Sequence, residues 1–259
     1  MLDALKLRTE LPVQGLGDPL YIYEVIGSTN DRCLELAEAG APEGTLVLAD
    51  QQQHGRGRGA RTWFSPAESG IAMSLLLRPG PVGQDDHAAY NMLGAVALVK
   101  ALEGLGLSAL IKWPNDVLLE GKKVAGVLTE AAWQGQVLEY VVIGIGVNVR
   151  PSSLPPAGQL DFPAGYLDGF RDKPVERESL VAGILHGLRL GLELIGSGEL
   201  LPWVEGHLAY REQEVRIDLE GKAATGRIVG LSPSGMLRVR LDDGYVSLVG
   251  TDVHLRTVD

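Results

Sequence analysis

The chain has 259 residues, 45% hydrophobic and 22% charged, with a formal net charge of −10 and a pI near 5.0. This composition excludes a disordered chain and suits one large domain plus a small one. Its acidity argues against broad nucleic-acid or anionic-membrane binding as the main task, but leaves room for a local anion site.

The first segment, MLDALKLRTELP, lacks a basic start followed by a long apolar run, and no later apolar stretch reads as long enough to span a bilayer. With one cysteine, Cys33, no internal disulfide is possible. A reducing, cytoplasmic setting without a membrane partner is therefore expected.

YIYEVI (21–26) is β-branched and aromatic and predicts a strand. Ser28 followed by Asp31 resembles a capping box, Cys33, Leu34 and Ala37 share a helical face, and Gly40 suits the helix end. Cys33 is then expected as a small buried hydrophobe. TLVLAD (45–50) predicts a strand entering a Gln/Arg/Gly loop, IAMSLLL (71–77) another strand, and residues 87–106 a mostly apolar helix.

LIKW, DVLL, KVAGVLTEAAW and QVLEYVVIGIGVNV follow as strands, with hairpin turns at Glu120-Gly121 and Gln134-Gly135. Residues 151–165 predict a loop, 174–198 an amphipathic helix stopped by glycine, and Leu201 to Tyr210 a short helix. From Gln213 short alternating strands between LEGK, SPSG and DDG turns predict a small barrel. The expected fold is α+β with a mixed, largely antiparallel sheet. The expected division is 1–212 and 213–259.

The densest chemical feature is HGRGRGARTW (54–63), with three arginines and three glycines. GRGRGA formally fits a weak dinucleotide pattern, but no helix follows it, and no phosphate-binding G-x-x-x-x-G-K-[ST] occurs anywhere. Glycine lets backbone approach an anion and arginine offers forked donors, so Arg56, Arg58 and Arg61, with no balancing acid nearby in sequence, predict a loop that closes over phosphates.

KWPND (112–116) presents Asn115 and Asp116 at a strand end. An asparagine there could read a base edge and an aspartate hold Mg2+, or the segment could be a plain turn. Lys122 and Lys123 open a strand and so point to opposite faces. In IGIGVNV (143–149), Asn148 could simply satisfy backbone groups, while the glycines beside it would admit a flat ligand. Ser28-Thr29-Asn30 caps a helix whose N–H groups could face a ligand. The five histidines show no metal spacing, and no nucleophilic triad is evident.

Taken in order, Ser-Thr-Asn, Gln…Gly-Arg-Gly-Arg…Arg-x-Trp-Phe-Ser-Pro, Lys-Trp-Pro-Asn-Asp, Lys-Lys-Val-Ala-Gly and Gly-x-Gly-Val-Asn resemble the bacterial biotin protein ligase family over about residues 20 to 150. The resemblance implies a catalytic fold of the class II aminoacyl-tRNA synthetase and biotin synthetase type with a C-terminal SH3-like barrel. It implies ATP and biotin as substrates with Mg2+, biotinyl-5′-AMP as intermediate, and a lysine of a biotin carboxyl carrier protein as acceptor.

By the same resemblance Ser28, Thr29, Asn30, Gln52, Gly55, Arg56, Gly57, Arg58 and Lys123 would bind biotin. Arg56, Arg58, Trp63, Asn115, Asp116, Lys123 and Asn148 would bind ATP or the adenylate. Lys123 and Arg58 would be catalytic, and Asp116 is the candidate Mg2+ ligand. Two departures stand out. Gly59-Ala60 shifts the family's second glycine, and the stretch before Tyr21 leaves no room for the winged-helix domain of the family's repressors, so a ligase without DNA binding is expected.

A lipoate or octanoate transferase would not be expected to carry both motifs, and the charge of −10 with 5% aromatics weighs against a single-strand nucleic-acid module. Exposed sheet edges leave a homodimer open.

Overall fold

The computed structural model describes residues 1–11, 15–59, 61–79, 86–156, 162–219, 222–241, 244, 246–249 and 256–257. Ala60, residues 157–161 of the predicted loop, Glu220-Gly221 of the LEGK turn and Asp242-Asp243 of the DDG turn lie outside them.

Seven strands, β1 (Leu20–Ile26), β2 (Leu46–Gln52), β3 (Gly70–Leu77), β4 (Leu110–Lys112), β5 (Asp116–Leu119), β6 (Lys122–Gln134) and β7 (Val137–Asn148), form one sheet in the order β1-β2-β3-β7-β6-β5-β4. Only β1 and β2 pair in parallel; the remaining neighbours are antiparallel. This is the mixed, largely antiparallel α+β arrangement expected from the sequence. The helices are α1 (Ala4–Glu10), α2 (Thr29–Glu38), α3 (Asp86–Gly104), α4 (Arg177–Ser197) and α5 (Leu200–Gly206). A second, antiparallel sheet holds β8 (Glu214–Leu219), β9 (Lys222–Leu231), β10 (Leu237–Leu241), β11 (Val246–Val249) and β12 (Arg256–Thr257), in the order β11-β10-β9-β8-β12.

Alternation along β7 explains the layering. Val141, Ile143, Ile145 and Val147 enter the main core beneath α3 and α4. Val142 faces the other way, into a smaller cluster with Cys33, Leu36, Ala37, Val47 and Leu76 under α2. Beyond Val142, the residues on that second face are Gly144, Gly146 and Asn148. The helix there stops covering the sheet, and a cleft begins.

α2 is the crossover between the parallel strands β1 and β2. Ser28 caps it, and Gly40, at φ +85°, ends it with its N–H donating to Ala37 O, as glycine at a helix end allows. α4 departs from expectation: at 21 residues it is long and apolar enough to cross a membrane by length and composition. Its apolar side, Leu180, Val181, Ile184, Leu185 and Leu188, is instead buried in the main core. Its first residue, Arg177, donates to Asp50 Oδ1 at 2.7 Å in a buried ion pair.

The seven-residue α1 was not anticipated, since it is too short to show periodicity. Asp3 caps it, Leu7 buries it, and Lys6 ties it to Glu176 ahead of α4 at 2.9 Å.

The two sheets are joined through the KWPND segment. Trp113 is buried, and its indole Nε1–H donates to Gly235 O of the β9–β10 turn at 3.1 Å. Leu231 N–H donates to Glu205 Oε1, and Ile111 bridges to Leu208.

Where α3 and α4 touch, a β-carbon at Gly187 would run into the Ala97 carbonyl oxygen, whereas one at Gly196 meets nothing within 4 Å. Gly187→Ala is therefore expected to cost about 1–3 kcal/mol by forcing the helices apart. Gly196→Ala should gain roughly 0.5–1 kcal/mol from helix propensity. Chemical denaturation of the two variants would show opposite signs.

Candidate active site

The floor of the cleft is made of missing side chains. Gly126 of β6 pairs with Gly146 of β7, and Gly144 follows on the same face. A β-carbon at Gly146 would strike the indole of Trp63, and one at Gly144 the amide of Asn30. The expectation that these glycines admit a flat ligand directly is thus corrected: Asn30 and Trp63 occupy the room, and a ligand would meet those two side chains.

Asn30 is buried, and both its amide hydrogens are used. Its Nδ2 donates to Leu128 O (3.2 Å) and Glu130 Oε2 (2.8 Å), and its Oδ1 lies 2.5 Å from the Ser74 hydroxyl. The same hydroxyl is 2.8 Å from Thr29 Oγ1. Thr29 donates both its N–H (2.8 Å) and its hydroxyl (3.1 Å) to Gln52 Oε1. The first helical N–H is therefore spent on Gln52 rather than aimed at a ligand. Ser28, Thr29, Asn30 and Gln52 nevertheless converge on one end of the cleft.

The arginine loop folds back as a small hairpin off the end of β2. Gln52 N–H donates to Ser65 O (3.0 Å), Trp63 N–H to Gly55 O (2.8 Å) and Gly57 N–H to Arg61 O (2.8 Å), while Arg56 and Thr62 form a bridge. Gly55 is required because a β-carbon there would strike Trp63 O. Gly59 takes the left-handed conformation at φ +63°, which suits the hairpin tip.

Arg56 does not stand unbalanced, contrary to the sequence reading. Nη1 and Nη2 donate to Glu130 Oε1 (2.9 Å) and Oε2 (2.6 Å), and Nη2 lies 2.8 Å from Asp31 Oδ1. Burial by itself lowers the pKa of this guanidinium, but the hydrogen bonds and charges of Glu130 and Asp31 outweigh it and raise the pKa overall. Arg58 and Arg61 line the cleft nearby.

Lys123 owes its direction to a β-bulge. Lys123 pairs with Leu118 and Ala125 with Val117, so Val124 is an extra residue. The bulge reverses the alternation. Val124, Ala125 and Val127 enter the core, while Lys123, Gly126, Leu128 and Glu130 share the cleft side. Lys122 points elsewhere, 5.9 Å from the Phe170 ring centre, as expected for consecutive strand residues.

Lys123 Nζ lies 2.6 Å from Asp116 Oδ1 and 5.6 Å from the Trp63 ring centre; Lys112 Nζ is 3.8 Å from Asp116 Oδ2. The Lys123 backbone is clamped by residues 163–165: its N–H donates to Pro163 O (2.8 Å), and Gly165 N–H donates to its carbonyl (2.9 Å). Asn148 Nδ2 donates to Gly165 O (3.1 Å) and Asn115 Nδ2 to Val127 O (2.6 Å). Each asparagine so satisfies a backbone group with one of its two amide hydrogens.

Asp116, flanked by two ammonium groups, does not fit a protein-held Mg2+, which asks for several free oxygen ligands. Among the described residues no group of three His, Cys, Asp or Glu could hold a metal.

Two adjoining clefts result. The inner one reaches from Ser28, Thr29 and Asn30 past Leu128 to Arg58, Asn115, Asp116 and Lys123. The outer one is a broad depression that includes Gly55, Phe64, Asn148 and Ala164. Gln52, Arg56, Gly57, Arg61, Thr62, Trp63 and Lys123 border both. Asn115 and Asn148 thus fall on different sides of the Trp63–Lys123 wall.

The sequence reading missed Asp31 as an arginine partner, Glu130, Ser74 and the 163–165 clamp. Asp31 read as a capping residue, and nothing in strand alternation marks Glu130 until the bulge is known.

A model of the Biotin/lipoate A/B protein ligase family matches residues 22–148, and one of the biotin protein ligase C terminal domain matches residues 212–256. The bifunctional ligase/repressor BirA of Bacillus subtilis is 32% identical over 263 residues, with 98% of this chain and 79% of the relative covered. The biotin–[acetyl-CoA-carboxylase] ligase of Paracoccus denitrificans is 41% identical over 140 residues, 52% of this chain and 55% of the relative. A biotin protein ligase from Aquifex aeolicus in complex with biotin and ATP matches with a TM-score of 0.73 at 28% identity, over 92% of this chain and 100% of that one.

Two outcomes are expected from this geometry. Gly146→Ala should displace the Trp63 indole, seen as a shift in tryptophan emission that vanishes when Trp63 is first replaced by Phe. Cys33 is fully buried, and burial pushes its thiol pKa up to about 12. Iodoacetamide at pH 8 should therefore leave native protein unmodified and label it only after denaturation.

Proposed function

This chain belongs to the biotin protein ligase family, and we propose that it activates biotin with ATP as biotinyl-5′-AMP and transfers the biotinyl group to a lysine of a biotin carboxyl carrier protein. It is a biotin ligase enzyme that uses ATP. The observation that carries the finer reading is the wall shared by the two clefts, where Lys123 and the arginine loop meet.

Biotin has a polar ureido end, an apolar body and a terminal carboxylate. The inner cleft has matching parts: Ser28, Thr29, Asn30 and Gln52 at one end, Leu128 along it, and Arg58 and Lys123 towards the other end. The nucleotide takes the outer side, against Trp63, where Asn148 offers its remaining amide hydrogen to the base, while Asn115 stands on the inner side of that wall. Gly55 and Gly57 let the loop backbone approach the ligands.

In the first step a biotin carboxylate oxygen attacks the α-phosphorus of ATP and the bond to the bridging oxygen breaks, releasing pyrophosphate. Two anions must approach, and cations that touch both relieve their repulsion. Lys123 and Arg58 supply that charge, and Asp116 orients Lys123 through its 2.6 Å contact. In the second step the neutral amine of the acceptor lysine attacks the acyl carbon, and the carbon–oxygen bond to AMP breaks. The mixed anhydride is sensitive to water, so a loop folded over it also protects it. We assign residues 1–212 to this chemistry and 213–259 to the C-terminal domain, on the start of the second sheet at Glu214.

Mass spectrometry of a carrier domain after incubation with ATP, Mg2+ and either biotin or lipoate should show a biotinyl mass increment alone; a lipoyl increment alone would overturn the reading. Lys123→Ala is expected to slow adenylate formation by about 10²-fold, the scale for losing one preorganised electrostatic contact. Pyrophosphate release measures it, and a near-normal rate would remove Lys123 from its role.

A further inference from the structure

We propose that Glu130 is a positioning residue that latches the arginine loop to the Asn30 end of the inner cleft, through Arg56. The consequence for adenylate retention rests on the function proposed above; the latch itself does not.

Glu130 lies seven residues beyond Lys123 on β6. In an unbroken strand the two would face opposite sides; the bulge at Val124 brings them to the same one. Its carboxylate is shared between two elements that are far apart in sequence. Oε1 accepts from Arg56 Nη1, and Oε2 accepts from both Arg56 Nη2 and Asn30 Nδ2. Asn30 is fixed in turn by Ser74 and by Leu128 O.

A continuous chain therefore runs from Ser74 in the sheet, through Asn30 and Glu130, to Arg56 in the loop. Asp31 closes it from the other side. Paired forks of this kind fix orientation as well as distance. The Glu130 side chain is only 26% exposed, so its contacts are less screened than those of a surface pair.

Two things follow. Arg56 is spent on carboxylates, so its task is to hold the loop rather than to grip phosphate. And because Arg56 is pinned in an extended bridge with Thr62, Arg58, two residues on, is delivered to the same cleft. Glu130 would thus decide where Arg58 stands without touching either substrate.

The test is limited trypsin digestion of the free enzyme, followed by mass spectrometry of cleavage after Arg58 and Arg61. Glu130→Gln keeps size and can still accept from Asn30, but loses the charge that holds Arg56. Cleavage should quicken by roughly 3- to 10-fold, the range for loss of a partly exposed charged fork, and preformed biotinyl-AMP should dissociate faster by a similar factor. In an Arg56→Ala background, Glu130→Gln should add nothing.

Unchanged cleavage, or an undiminished effect in the Arg56→Ala background, would overturn the latch. If Glu130→Gln melts well below wild type, Arg56→Lys takes its place. That variant keeps the charge and loses the fork, and it should open the loop to the same extent; wild-type cleavage would again overturn the proposal. A wild-type enzyme that forms no biotinyl-AMP would defeat the functional reading, while the digestion would still decide the latch.

Discussion

The structure depends on a surface with nothing on it. β6 and β7 sit at the centre of the sheet, with one face committed to the core under α3 and α4. On the other face Gly126, Gly144 and Gly146 leave a trough that no β-carbon fills. Asn30 arrives there from α2 and Trp63 from the arginine loop, and each is held by the contour of the strands beneath it. The helix cap, the loop hairpin and the paired strands are therefore one construction. A methyl group added to the floor would act on the walls, which stand on other elements.

Charge is arranged with equal economy. Around the cleft, Arg56 lies between Glu130 and Asp31, and Lys123 rests on Asp116, itself 3.8 Å from Lys112. Each of these cations is thus held in one direction by a carboxylate. In a chain with a net charge of −10, these acids serve as supports for the bases of the cleft.

The C-terminal sheet enters the same logic. Trp113, immediately before the Pro-Asn-Asp segment, reaches across to Gly235, so the motif that carries Asn115 and Asp116 is anchored at its back by the other sheet. Packing between the sheets and placement of the site residues are parts of one contact.

Much of this was readable in the chain. Periodicity placed the strands to within a residue or two, Ser28 and Gly40 marked the ends of α2, and consecutive lysines had to diverge. Short α1 escaped, because seven residues carry no period. The glycines of IGIGVNV marked room beside Asn148, but not what would come to rest in it. By itself the sequence determined local conformation and the kinds of residue present, since both follow from neighbours along the chain. Only the tertiary structure decided that a bulge at Val124 would turn Lys123 and Glu130 to one side, and that Asp31 and Glu130, 25 and 74 residues from Arg56, would be its counter-ions. Those outcomes rest on strand register and on contacts between distant elements, and no local pattern encodes them.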